Sequence, residues 1–160
     1  MAVYQHVLVG LDLAPESRQV MRRVDELLAA SDARISLVHV QEPLSFAYGG
    51  DIPMDLGQLQ VNLEARARER LRELAAESSL RNVQCHILIG QPAYEMHRFA
   101  RENGVDLAVV GSYGRHGLAL VFGSTANGVL HGATCDVLAV RIQPVVAGGR
   151  ADHPRECQAA

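Results

Sequence analysis

Five short apolar runs alternate along this chain with segments of helical periodicity, and no other feature limits the possible fold as strongly. Each run is apolar at nearly every position, which is typical of strands that are covered on both faces of a sheet. Strands that alternate with helices predict a doubly wound parallel α/β sheet with helices on both faces. The predicted strands span residues 7–11, 35–40, 83–89, 106–110 and 136–142.

The predicted helices are recognised by apolar residues that recur three or four positions apart. Four such segments occur, at residues 15–30, about 56–77, 92–103 and from 123 to about 133. The second is the longest, and we expect one continuous apolar stripe along it, formed by Leu56, Leu59, Leu63, Ala67, Leu71 and Leu74.

Composition and charge limit the partners that the chain can bind. It has 160 residues and a net charge of −3, so we expect one domain over residues 1–142 and a flexible tail over 143–160. The negative balance argues against a nucleic-acid or membrane surface. Neither a signal peptide nor a membrane-spanning run is recognisable, and Cys85, Cys135 and Cys157 lack metal or disulfide spacing, so we expect a cytoplasmic location.

The segment from residue 111 to residue 125 carries the clearest sign of function. It contains four glycines and, at the expected helix start, the hydroxyl side chains of Ser124 and Thr125. A strand that leads through a Gly-rich loop into a helix is a ready anion site, because bare N–H groups and the positive end of the helix dipole converge there. Any one glycine is more simply a turn residue, but the set favours phosphate binding.

Three polar residues allow two interpretations each. Arg115 is either a surface arginine or a bidentate phosphate ligand. Asp12 ends the first strand and either caps the following helix or accepts bonds from a ribose or a cation. His39, inside an apolar strand, is more simply a core histidine bonded to the backbone than a metal ligand. If the first and fourth strands are neighbours, Asp12 and Gly111 face one crevice where the strand order reverses.

The absence of lysine excludes several mechanisms. All 15 cationic residues are Arg, so a Walker-type phosphate loop and a Schiff-base lysine are impossible. A response-regulator receiver is disfavoured for the same reason, and the turn after the first strand lacks the glycine fingerprint of a dinucleotide-binding domain. Since no catalytic nucleophile or general base is evident, we predict that the chain is not an enzyme, with slow ATP hydrolysis left open.

Several segments, in order, resemble the universal stress protein family. They are residues 4–17, 36–40, 106–115 with 123–126, and 135–140, which are similar to the family's first strand and turn, second strand, signature and closing strand. The resemblance covers residues 3–142 and implies a five-stranded Rossmann-like sheet of order 3-2-1-4-5. It also implies a homodimer that pairs through the C-terminal strand.

The resemblance further implies an adenine nucleotide as ligand, ATP or AMP, with Mg²⁺ as an optional companion. By analogy Val40 contacts adenine through its backbone, Asp12 and Gly111 face the ribose, and Arg115 and its neighbours surround the phosphates. The implied binding residues are Gly10, Leu11, Asp12, Val40, Val110, Gly111, Gly114, Arg115, Gly123, Ser124 and Thr125.

The spacing of the glycines departs from the family's usual signature. Eight residues, rather than nine, separate Gly114 from Gly123, as in a subgroup some of whose members bind no nucleotide. A loop shorter by one residue moves phosphate donors by up to ~3.5 Å. Two hypotheses follow. The retained glycines favour a nucleotide-binding homodimer that acts in stress response or regulation as a sensor or as a module that binds an unidentified protein partner. The alternative is a nucleotide-independent dimer that acts through protein contacts.

Overall fold

The computed structural model describes residues 3–43, 56–113 and 124–143. Within these ranges one parallel sheet has the strand order β3-β2-β1-β4-β5, which confirms the predicted fold. Its strands are β1 (His6–Gly10), β2 (Arg34–Gln41), β3 (Val83–Ile89), β4 (Leu107–Tyr113) and β5 (Asp136–Ile142). The helices are α1 (Ser17–Leu28), α2 (Leu56–Ala76), α3 (Pro92–Asn103) and α4 (Ser124–Gly132).

Both faces of the sheet are buried, as the uninterrupted apolar runs predicted. Successive strand residues point to opposite faces, so Val7 and Val9 of β1 pack toward α1 and α2, whereas Leu8 packs toward α3 and α4. All three side chains are fully buried. The central strand β1 therefore contributes side chains to both hydrophobic layers, and these contacts hold its carboxyl end in place.

The fourth strand is longer than predicted. It continues to Tyr113 rather than ending at Val110, because residues 111–113 pair in parallel with residues 140–142 of β5. The expectation that Gly111 ends the strand and opens a loop is therefore wrong. On its other side β4 pairs with β1 only as far as Gly10, which lies opposite Val110. The two central strands thus end at different heights, and a gap remains beyond Gly10.

Two helices also differ from the prediction. Helix α1 begins at Ser17, because Pro15 lies in a turn that follows Leu13 in a left-handed conformation (φ 63°). The prediction of one continuous apolar stripe along α2 is wrong at the start of the helix. Leu59 is 42% exposed, while Leu71 and Leu74 are fully buried. Only the C-terminal half of α2 joins the core cluster on its face of the sheet.

The remaining sequence predictions concern the tail and the thiols. Of the predicted tail, only Gln143 belongs to the described residues, and residues 144–160 lie outside them. Cys85 and Cys135 are free thiols, and Cys157 lies outside the described part. Among the helices that the structure describes, none combines the length and apolarity needed to cross a bilayer.

Candidate functional site

A cavity of about 340 Å³ opens at the carboxyl ends of the strands, between β1 and β4. The strand order reverses between these two strands, and open α/β sheets bind ligands at such a point. The volume falls at the lower end of the range for small-molecule pockets. The cavity is lined by Gly10, Leu11, Asp12, Ser17, Val20, Val38, His39, Val40, Pro92, Met96, Val110, Gly111, Tyr113, Ser124, Thr125, Ala126 and Ile142.

The structure brings most of the predicted site residues together around this cavity. Those that line it are Gly10, Leu11, Asp12, Val40, Val110, Gly111, Ser124 and Thr125. Gly114, Arg115 and Gly123 lie outside the described residues. The shared location agrees with the expectation of one crevice, while the role of each residue toward a ligand stays a prediction.

The carboxylate of Asp12 organises the turn that leaves β1. Its Oδ1 accepts a hydrogen bond from the backbone N–H of Ala14 at 3.1 Å and another from the hydroxyl of Ser17 at 2.8 Å. Asp12 is not the helix cap, because the N-cap position of α1 belongs to Glu16. The first bond is instead typical of an Asx turn, and it holds one carboxylate oxygen at the mouth of the cavity.

The other oxygen of Asp12 reaches across the cavity to β4. Tyr113 donates its hydroxyl hydrogen to Asp12 Oδ2 at 3.2 Å. Partial burial, the negative charge of Asp12 with its hydrogen bond, and Glu16 together raise the pKa of Tyr113 to about 12. The phenol is therefore neutral and a donor near pH 7. Tyr113 is not among the site residues predicted from the sequence, because the predicted fourth strand ends three residues earlier.

His39 is bonded to the backbone, as the simpler interpretation predicted. Its Nδ1 donates to the carbonyl oxygen of Leu11 at 2.8 Å, and the N–H of Leu11 donates to the carbonyl oxygen of Val38 at 2.9 Å. These two bonds fasten the turn after β1 onto β2. The ring also lines the cavity, which the prediction of a core histidine did not include. In the neutral ring Nε2 is the remaining acceptor.

Gly10 and Gly111 both lie close to neighbouring side chains. A Cβ atom at Gly10 would lie 2.7 Å from Cε and 2.9 Å from Sδ of Met96. A Cβ atom at Gly111 would overlap Cδ1 of Ile142 and lie 3.3 Å from Cγ2 of Val20. At Gly10 the Met96 atoms are the far end of a flexible side chain and can shift, whereas at Gly111 the neighbours Ile142 and Val20 are both buried and fill the space that a larger residue would need.

The start of α4 forms part of the wall of the cavity that Asp12 also lines. Ser124 and Thr125 are exposed and line the cavity, whereas Ala126 is buried in the core. The first N–H groups of a helix have no partner within the helix and carry the positive end of its dipole. This wall can therefore attract an anion through backbone donors and two hydroxyl groups. Within the described ranges, no three His, Cys, Asp or Glu side chains lie close enough to hold a metal ion.

Comparison with known proteins identifies the family. The family model described as "Universal stress protein family" matches residues 3–141. The chain belongs to the universal stress protein family. Universal stress protein A homolog 1 of Coxiella burnetii is 40% identical over 139 residues, which are 86% of this chain and 96% of that protein.

Two solved structures of universal stress proteins share the fold. One, in complex with cAMP, matches with a TM-score of 0.61 and 24% identity over 88% of this chain and 98% of its own. Another, from Archaeoglobus fulgidus in complex with dAMP, matches with a TM-score of 0.55 and 20% identity over 89% of this chain and 100% of its own. At these identities the likeness carries the fold of this universal stress protein and not its ligand.

Proposed function

We propose that this universal stress protein binds an adenine nucleotide, AMP or ATP, in the cavity between β1 and β4. The observation that carries the proposal is that Asp12 and the first turn of α4 line one cavity at the point where the strand order reverses. The carboxylate of Asp12 can accept hydrogen bonds from ribose hydroxyls, and the first turn of α4 can donate hydrogen bonds to a phosphate. The cAMP and dAMP complexes of two family members support the choice of adenine.

The backbone of β2 is suited to hold the base. Val38 lies opposite Gly10, the last residue of β1, and its carbonyl oxygen points toward that side, where it accepts from Leu11. Backbone groups two residues apart in a strand point the same way, so the N–H and C=O of Val40 point into the gap beyond β1. One donor and one acceptor there match the polar edge of adenine, and the apolar side chain of Met96 lines the same cavity.

The start of α4 is suited to hold the phosphate. In the proposal, Thr125 and Ser124 add hydroxyl donors to the free N–H groups of the first turn. A nucleotide that spans from Val40 to Thr125 passes Asp12, whose carboxylate accepts from the ribose. Any Mg²⁺ would arrive on the phosphates of the nucleotide, since these oxygens are its usual ligands.

We further propose that the protein acts as a homodimeric sensor or partner-binding module and not as an enzyme. In the described part of the chain, β5 pairs only with β4, so its outer edge is available to a second copy of the chain. Two described hydroxyl groups of the cavity, those of Ser17 and Tyr113, reach a carboxylate, and both donate to Asp12. Ser17 is buried and its bond shapes the turn after β1, so we assign neither hydroxyl the role of a nucleophile. We place this function in the cytoplasm, where free thiols such as Cys85 stay reduced.

A second candidate is a dimer that works without nucleotide. One observation favours it: the packing of Gly111 against the buried side chain of Ile142 explains this glycine without any phosphate. Bound nucleotide separates the two candidates, because a nucleotide-dependent sensor purified under mild conditions releases adenine nucleotide on denaturation. A nucleotide-free preparation that also fails to bind added AMP or ATP would favour this second candidate.

Calorimetric titration with adenosine, AMP and ATP tests the proposal. Thr125→Val removes the hydroxyl at nearly constant shape, and we expect it to weaken AMP binding about three- to tenfold while leaving adenosine binding unchanged. Thr134→Val, at an exposed position beyond the other end of α4, is the matched control and leaves both affinities unchanged. Equal losses for adenosine and AMP in Thr125→Val would contradict the phosphate assignment, and no binding of any ligand by the unaltered protein would contradict the function.

A further inference from the structure

The bond between Tyr113 and Asp12 lies where the proposed ligand must pass. It joins the end of β4 to the turn after β1 across the mouth of the cavity, and both residues line that cavity. Its length of 3.2 Å exceeds the usual 2.7–2.8 Å of such bonds. Both side chains are exposed enough to meet solvent or a ligand, since Tyr113 is 37% exposed.

Three of the about four hydrogen-bond acceptor positions of the Asp12 carboxylate are occupied. Oδ1 holds the N–H of Ala14 and the hydroxyl of Ser17, and these bonds shape the turn. Oδ2 holds only the hydroxyl of Tyr113. A carboxylate oxygen accepts about two hydrogen bonds, so a ribose that offers two hydroxyl groups to Asp12 must take the position of the phenol.

We propose that Tyr113 is a selectivity residue whose hydroxyl stands in for a ribose hydroxyl on Asp12 and is displaced when a ribonucleotide binds. The inference rests on the proposed function of the cavity. When a ligand with both ribose hydroxyls binds, one of these hydroxyls replaces the phenol hydroxyl on Asp12, so the net gain in hydrogen-bond energy is small. When a ligand without these hydroxyls binds, the bond from Tyr113 to Asp12 stays in place, so the loss of binding affinity is small. Tyr113 thereby narrows the difference in affinity between ribose and deoxyribose ligands.

Tyr113 is uncharged during this exchange. Its neighbours Asp12 and Glu16 are both acidic, and the phenol is neutral across the physiological range, so that it donates to Asp12 and adds no negative charge next to a phosphate. A displaced phenol can turn toward solvent at the cavity mouth, because the side chain is already partly exposed. The exchange therefore needs no rearrangement of the buried core.

The test compares AMP with 2′,3′-dideoxy-AMP in Tyr113→Phe. This variant keeps the ring and removes the hydroxyl. The ribose then binds Asp12 Oδ2 without displacing a phenol. We expect the affinity for AMP to rise about two- to fivefold, while that for the dideoxy ligand stays unchanged or falls. Tyr94→Phe removes a hydroxyl from a 58% exposed tyrosine that does not line the cavity, and it leaves the ratio of the two affinities unchanged.

A spectroscopic readout tests the displacement itself. With tyrosine labelled at the ring carbon that bears the hydroxyl, the resonance missing from Tyr113→Phe identifies residue 113. We expect AMP to shift this resonance and the dideoxy ligand to shift it much less. An unchanged ratio of affinities in Tyr113→Phe, together with equal shifts from both ligands, would overturn the inference while leaving nucleotide binding intact. Failure of the unaltered protein to bind either ligand would overturn the proposed function and the inference with it.

Discussion

Gly111 of β4 lies directly against Ile142 of β5, whose Cδ1 atom occupies the space that a side chain at position 111 would enter. Ile142 is 4% exposed and belongs to the core cluster beneath α1. Cγ2 of Val20 in α1 would lie 3.3 Å from the same added atom. The first glycine of the signature is therefore required by the packing between strands and helix, whatever the cavity binds.

This contact predicts a stability effect that a second substitution partly removes. Gly111→Ala overpacks the site and should lower the free energy of unfolding by about 1–3 kcal/mol. Ile142→Val deletes Cδ1 and should cost about 0.5–1.5 kcal/mol by itself. Because the deleted atom is the one that the new methyl group meets, we expect the double variant to cost less than the sum of the two. Urea unfolding of all four proteins measures this, and strict additivity would contradict the packing role.

Two histidines that lie beside Phe99 of α3 predict an acid-sensitive fold. His6 Nδ1 lies 2.7 Å from Nη2 of Arg34, and its Nε2 lies 2.8 Å from the hydroxyl of Ser36. Nε2 of His86 is buried without a partner among the described residues. Burial chiefly lowers the pKa of both imidazoles, and the positive charge of Arg34 lowers it further. For His6 the carbonyl of Asn103 and the charge of Asp106 act in the opposite direction.

The sign of the effect follows from proton uptake. Below pH ~6.5 the unfolded chain binds protons at these histidines that the folded chain does not, so stability is complete above that pH and falls as the pH decreases. We expect His86→Phe to reduce the loss of urea resistance between about pH 7.5 and pH 5. His131→Gln, at an exposed position of α4, should leave the loss unchanged. A pH dependence of stability that is equally steep in His86→Phe would contradict the role of His86.

The phenol of Tyr113 predicts a separate effect in alkali. Its folded pKa of about 12 lies above the ordinary value of 10.0, first because of burial and then because of the charge of Asp12 and its hydrogen bond. The neutral phenol therefore contributes stability that is complete below pH 10 and is lost as the pH rises toward 12. Asp12→Asn removes the negative charge and should lower the pKa of Tyr113 toward its ordinary value. The tyrosinate absorbance, taken as a difference from Tyr113→Phe, measures this pKa. An unchanged pKa in Asp12→Asn would contradict the contribution of Asp12 and leave burial and Glu16 as the causes.

The sheet was predictable from local sequence because its signals are local. Runs such as residues 7–9 are apolar at every position and bounded by turn residues, so each strand is recognisable alone. The end of β4 is different, since its pairing with β5 depends on residues about thirty positions away, and Gly111 looks the same in a loop as in a strand that packs against Ile142. Tyr113 and the cavity-facing ring of His39 were missed for this reason: both depend on where β1 and β4 end relative to each other.

The most direct measurement of the central proposal is a titration with AMP monitored by the methyl resonances of the protein. Val40 and Val110 line the cavity between β1 and β4, whereas Val137 and Leu138 line a separate groove on the side of Tyr4 and Leu107. We expect the methyl groups of Val40 and Val110 to shift in a saturable manner while those of Val137 and Leu138 stay in place. Absence of any saturable shift at Val40 and Val110, or shifts confined to Val137 and Leu138, would contradict an adenine-nucleotide site between β1 and β4.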